Sequence, residues 1–148
     1  MNKLDIKIKK LDKNAIIPTY GSEFSAGADL YALTDESIEI KPGETVLVHT
    51  GLAFEITPGY GGFIFARSGL ASKKGLAPAN KVGVVDSDYR GEVMVALFNH
   101  SSKTAVIENG ERIAQMVFLP YAAANFIESE TLDDTARGIG GFGSTGTK

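Results

Sequence analysis

A chain of 148 residues with 43% hydrophobic and 22% charged side chains has the size and composition of one soluble globular domain. A formal net charge of -3 and a pI near 5.4 argue against a nucleic-acid-binding face. The lack of cysteine removes disulfides, thiolate zinc sites and cysteine nucleophiles, and two histidines, His49 and His100, poorly supply a histidine metal cage or a Ser-His-Asp triad.

The opening "MNKLDIKIKK" has no long apolar core after its charges, so it is not a secretory signal, and no apolar run approaches a membrane span. A cytoplasmic protein is expected. Leu4, Ile6 and Ile8 alternate with Asp5, Lys7 and Lys9, the period of a half-buried strand. After a mixed stretch broken by Pro18 and Gly21, short strands are predicted between the turn dipeptides Pro42-Gly43 and Pro58-Gly59. "TVLVHTGLAFEI" reads as a β-branched, apolar strand, with Gly51 marking a bulge. "SGLASKKG" predicts one short helix, with Ser68 as N-cap, Leu70 facing inward and Gly75 closing the C-terminus. "KVGVVDSDYRGEVMVALFNHS" predicts a hairpin whose corner lies near Asp86 to Gly91, and "RIAQMVFLPY" a further apolar strand. Turn signals every 8–12 residues or so indicate a β-sandwich or barrel. A domain over residues 1–127 is therefore expected. The polar, acidic "ESETLDDT" then lies in a linker (128–136) that leads into a glycine-rich arm (137–148).

Several fragments carry candidate chemistry. In "ARSGLA", free backbone N–H groups at a capped helix start, with Arg67 beside them, would suit an anion. Read alone, the segment is an ordinary surface arginine near a cap. In "VVDSDYRGE", Asp86 and Asp88 would share one face of a strand, where an aspartate can orient a water as general base or hold a hard metal. Read alone, the fragment is a polar hairpin turn, since Asp, Ser and Gly are all turn formers. "AGADLYA" sets Asp29 among small residues that allow close approach of backbone or ligand, or in a turn before a strand. His49 and His100 read as structural or solvent-facing. The tail "RGIGGFGSTG" is not a Walker A loop, since neither the G-x-x-x-x-G-K-[ST] order nor a following helix is present. It offers one cation, one ring and two hydroxyls, which suit a nucleotide better than a plain linker, although composition alone suggests a free tail.

"AGADLYA", "ARSGLA", "GVVDSDYRGEV", "ERIAQMVF" and "RGIGGFGSTG" stand in that order, and together they resemble the five motifs of the trimeric dUTP pyrophosphatase (dUTPase) family over about Ile6 to Gly146. Two departures are visible: Ala66 where the family commonly has proline, and Val85 where it commonly has isoleucine. The resemblance implies an all-β, antiparallel jelly roll with one short helix and a mobile glycine-rich C-terminal arm, assembled as a homotrimer with shared active sites. It implies hydrolysis of dUTP to dUMP and pyrophosphate with Mg²⁺ on the triphosphate, and no nucleic-acid or membrane partner. Such an activity would limit uracil in DNA and supply dUMP.

Residue by residue, Asp86 would orient and deprotonate the attacking water, and Asp29 would hold the metal through a water. Arg67, Ser68, Gly69 and Gln115 would contact the phosphate chain. Asn80 and the backbone from Gly83 to Val85 would read the uracil edge, with Tyr89 packed on the deoxyribose. Arg137, Gly143, Ser144 and Thr145 would close on the terminal phosphates, and Phe142 would cover the base. Glycines would let this arm stay mobile without substrate and close over it as a lid. The nearest rival is a dCTP deaminase of the same fold, which uses a glutamate on the strand where this chain has Ala96. A rival of another class is a non-enzymatic, dUTPase-like regulatory or binding module.

Overall fold

Twelve strands and one helix follow one another in a computed structural model that describes residues 3–142. They are β1 (Lys7–Lys10), β2 (Thr19–Tyr20), β3 (Ala28–Tyr31), β4 (Ile38–Ile40), β5 (Thr45–His49), β6 (Leu52–Glu55), β7 (Tyr60–Phe65), α1 (Ser68–Lys74), β8 (Leu76–Pro78), β9 (Gly83–Val85), β10 (Met94–Asn99), β11 (Ala105–Ile107) and β12 (Arg112–Pro120). Every ladder is antiparallel. The largest sheet runs β2-β3-β12-β7-β9, and smaller sheets pair β5-β10-β8, β1-β6 and β11-β4. This is the all-β architecture expected from the short, turn-separated strands, in the jelly-roll-like form that the resemblance implies. Between the sheets, Leu30, Ile40, Val48, Leu52, Leu97, Ile113 and Met116 form a core closed to solvent. The alternation at the start of the chain is present as well: Leu4, Ile6 and Ile8 are half-buried while the residues between them are exposed.

Three local expectations change. The apolar run around Gly51 is not one bulged strand. It is cut at Thr50–Gly51, β5 pairing with β10 and β6 with β1. Gly51 takes φ +67, and a Cβ there would come within 2.5 Å of Leu33 Cδ2, so a tight corner between sheets needs glycine on two counts. Second, β9 and β10 do not form a hairpin. β9 pairs with β7, and β10 with β5 and β8, so the Asp86–Gly91 turn crosses from one sheet to another. Third, Ser68 is the first residue of α1 and not its cap. Arg67 occupies the cap position in extended conformation and makes no side-chain capping bond. The other end is as expected: Gly75 is left-handed at φ 67, and its N–H reaches the Ala71 carbonyl at 3.1 Å. Leu70 is buried, as its place in the pattern predicts.

The position of α1 depends on its basic end. Lys74 Nζ donates to the Val106 carbonyl at 2.7 Å and to Glu111 at 2.6 Å, tying the helix to the β11–β12 turn. Beyond β12, the Tyr121 N–H bonds to the Gly59 carbonyl at 3.1 Å. Residues 121–139 are exposed and contain neither strand nor helix.

Candidate active site

β9 is the edge strand of the largest sheet, so one row of its backbone donors and acceptors has no strand partner. A cleft of about 270 Å³ opens beside it, bounded on the far side by β10. Asn80, Gly83, Val85, Asp86 and Tyr89 all line this cleft, which brings together the predicted base, sugar and water-activating residues. Gly83 allows the close fit at its floor: a Cβ there would lie 3.2 Å from Ile64 Cβ and 3.3 Å from Asn80 Nδ2. The strand ends at Val85. Asp86 and Asp88 therefore lie in a turn, not on one strand face, and both are exposed.

That turn is well supported. The Tyr89 N–H reaches the Asp86 carbonyl at 3.2 Å, and Arg90 Nη1 donates to the carbonyls of Ser87 and Tyr89 at 2.7 and 3.0 Å. Its far end is anchored by Glu92, whose Oε1 accepts from the Gly51 N–H at 2.8 Å and whose Oε2 meets His49 Nδ1 at 2.9 Å. Burial pushes the Glu92 carboxyl up, but the bonds from His49 and from the Gly51 and Thr50 backbone outweigh it and hold the group below the ordinary carboxylate value. Glu92→Ala strands the part-buried Gly51 N–H, and we expect about 1–3 kcal/mol of destabilisation in urea unfolding at neutral pH. Because the folded pKa is depressed, this contribution is present above the unfolded pKa and is lost as the pH falls through the folded value. The gap between variant and parent should therefore narrow in acid. A constant gap would show that the carboxylate's charge is irrelevant to the anchor.

A second hollow, about 730 Å³, is lined by Asp29, Arg67, Ser68, Gly69 and Gln115, the predicted phosphate and metal group. Successive strand residues point to opposite faces. Phe65 and Gln115, paired across β7 and β12, line this hollow, whereas Ile64 lines the cleft. The two sites thus lie on opposite sides of one sheet and share no lining residue. Asp29 is buried in β3, not in a turn before it. It accepts from Arg67 Nε at 2.7 Å and from Arg112 Nη1 at 3.2 Å. Gln115 Nε2 donates to the Ala66 carbonyl at 2.9 Å. Gly27 makes room for it, since a Cβ there would sit 2.5 Å from Gln115 Oε1. The small residues of "AGADLYA" therefore serve close approach.

Arg112 and Lys81 also line this hollow and were not singled out by sequence reading. Arg112 stands at a register shift between Arg112 and Ala114, which strand alternation does not reveal. Lys81 has a left-handed backbone, φ 66, which its side chain does not announce. In the arm, Arg137 Nε donates to the Gly140 carbonyl at 2.8 Å, and Phe142 is fully exposed. Arg137 and Phe142 line neither hollow. Gly143, Ser144 and Thr145 lie outside the described residues. His49 is committed to Glu92, and His100 stacks edge-on against Phe98 with ring centroids 4.5 Å apart. Both histidines are thus structural or solvent-facing.

The chain is also similar to known proteins in sequence and fold. The family model described as dUTPase matches residues 13–146. The chain is 52% identical to a deoxyuridine 5'-triphosphate nucleotidohydrolase of Desulfitobacterium hafniense over 99% of each chain. It is likewise 52% identical to one of Nautilia profundicola over 97% of this chain and 99% of that one. Among solved structures, the Staphylococcus bacteriophage 80alpha dUTPase G164S mutant with dUpNHpp superposes with a TM-score of 0.84 at 26% identity, covering 97% of this chain and 99% of that one. A family model spanning most of the chain, relatives matched end to end and a shared fold lead to one conclusion: this chain belongs to the dUTPase family of dUTP-hydrolysing enzymes.

Proposed function

We propose that this protein hydrolyses dUTP to dUMP and pyrophosphate in the cytoplasm, limiting uracil in DNA, and that Asp86 activates the attacking water. The observation that carries this reading is the cleft that joins a free strand edge, Asn80 and Tyr89 to an exposed carboxylate in a braced turn. The β9 edge offers backbone partners to the uracil edge. Cytosine presents the opposite donor and acceptor pattern at ring positions 3 and 4, and would leave buried groups unpaired. The tight floor at Gly83 and Ile64 opposes the extra methyl of thymine. The Tyr89 ring covers the sugar face and leaves no room for a ribose 2′-hydroxyl. Asp86, exposed at the end of β9, takes the proton of a water that attacks the α-phosphorus in line.

Arg67, Ser68, Gly69 and Gln115 hold the phosphate chain. Mg²⁺ bound to that chain would neutralise its charge during the displacement. Among the described residues no three carboxylates or histidines gather as a cage. Asp29 already accepts two arginine bonds, and its oxygens retain lone pairs for a water. This donor set fits a metal carried by the substrate and reached by Asp29 through water. The cleft offers little to a dCTP deaminase: at the strand position where such an enzyme uses a glutamate, Ala96 contributes only a methyl.

The division of these groups between two sides of a sheet supports a homotrimer in which each site draws on several copies, with the arm reaching a neighbour. Phe142, fully exposed in its own chain, would then cover the base of a site elsewhere. Phe142→Ala should weaken binding of a non-hydrolysable dUTP analogue by about 1–3 kcal/mol in titration calorimetry, the scale of base–aromatic stacking. Unchanged affinity would mean that the ring packs elsewhere. The direct test of the function is pyrophosphate release from dUTP, with dCTP as the parallel substrate. Release from dUTP alone is expected. Deamination of dCTP, or binding of dUTP without release, would overturn the reading.

A further inference from the structure

We infer that Gly91 determines sugar selectivity by serving as the seat of the Tyr89 ring. The inference rests on the reading of Tyr89 as the wall against the sugar. The ring folds back onto its own turn. A Cβ on Gly91 would overlap Tyr89 Oη and would lie 2.6 Å from its Cζ and 2.9 Å from its Cε2. Gly91 is not among the glycines with positive φ, so no left-handed backbone demands glycine there, and the lack of a side chain serves the ring. Above this flat seat, Tyr89 Oη donates to the Glu92 carbonyl at 2.9 Å. Glu92 is itself fixed by His49 and the Gly51 N–H.

The ring is therefore held at two points, its lower face on the Gly91 backbone and its hydroxyl on Glu92, while it lines the cleft beside Asp86. Tyr89 is 44% exposed, so much of the ring is left open to the cleft and solvent. A methyl on residue 91 leaves the ring's hydroxyl end as the part that must move, and that movement breaks the bond to Glu92. A ring released in this way no longer blocks a 2′-hydroxyl. Gly91 is thus a positioning residue that acts through Tyr89.

The test compares kcat/KM for dUTP and UTP in Gly91→Ala, Tyr89→Ala, Tyr89→Phe and the Gly91→Ala/Tyr89→Ala double variant, with folding checked by circular dichroism and thermal unfolding. The dUTP:UTP preference should fall about tenfold or more in Gly91→Ala, the scale of one lost steric contact, and a change of less than about twofold would overturn the inference. In the Tyr89→Ala background, Gly91→Ala should add nothing, because the ring it displaces is gone. An equal loss in both backgrounds would place the effect elsewhere and overturn the inference. Tyr89→Phe leaves residue 91 untouched and removes only the bond to Glu92. It should lower the preference to an intermediate degree, and it tests the hydroxyl anchor through which Gly91 acts even where alanine at 91 unfolds the turn. A full parental preference in Tyr89→Phe would overturn the inference, since losing the bond to Glu92 would then not release the ring. If Tyr89→Ala keeps its preference for dUTP, the reading of the tyrosine as sugar wall falls, and the inference falls with it. If Tyr89→Ala loses the preference and Gly91→Ala keeps it, only the seat is overturned.

Discussion

Asp86→Asn should lower kcat for dUTP about 100- to 10,000-fold, the range supplied by a positioned general base, while KM changes little. An amide keeps the size and hydrogen-bonding reach of the carboxylate but cannot take the proton of water. The loss therefore falls on the transition state and not on the bound ground state. Stability should also be nearly unchanged, because Asp86 is exposed and its turn is held by backbone bonds to Tyr89 and by Arg90, not by the Asp86 side chain. Steady-state kinetics with thermal unfolding as control would measure both effects. A variant with near-parental kcat at neutral pH would remove Asp86 from the base role. A parallel collapse of stability would move its role from chemistry to folding.

Two proteins that are each inactive should become active when they share a trimer. One is Asp86→Ala, and the other is a chain ended after Asp134, which lacks Arg137 and Phe142. Unfolded together in equal amounts and refolded, they should recover about a quarter of the parental sites, because each site needs an intact Asp86 from one copy and an intact arm from another. The structure motivates this test. Arg137 and Phe142 reach neither hollow of their own chain, and residues 121–139 are exposed beyond the last strand. The eight residues "ESETLDDT" alone can span up to roughly 26 Å when extended. Light scattering would confirm the trimers and pyrophosphate release would count the sites. Mixed trimers with no activity would place Asp86 and the arm of each site on one chain and refute the shared site without touching the chemistry.

The residues of the candidate site were legible in the sequence because each short motif keeps its identity wherever the fold carries it. Their partners were less so. Asp29 was visible as a carboxylate among small residues, but the two arginines that hold it come from positions 67 and 112. Glu92 stood in a quoted motif without a role, since the atoms it grips belong to His49 and Gly51. Gly91 likewise read as a turn former, and only the folded-back ring of Tyr89 gives it another use.

What the sequence determined by itself is local. The alternation at Leu4, Ile6 and Ile8 set which side of the first segment is buried, because the period of two follows from the pleat of one strand. Gly75 set the end of α1, because a left-handed residue stops a helix without reference to the rest of the chain. Tertiary structure decided which strands meet. The segments before and after Asp86 looked like partners, yet β9 went to β7 and β10 to β5 and β8. The run through Gly51 looked continuous, yet its halves joined different sheets. Backbone hydrogen bonds are nearly blind to side-chain identity, so an apolar strand can pair with any other. The choice among pairings follows from how all the buried faces fill one core together. That choice splayed β9 from β10 and opened the cleft beside Asp86, and it put the arginines on the opposite side of the sheet.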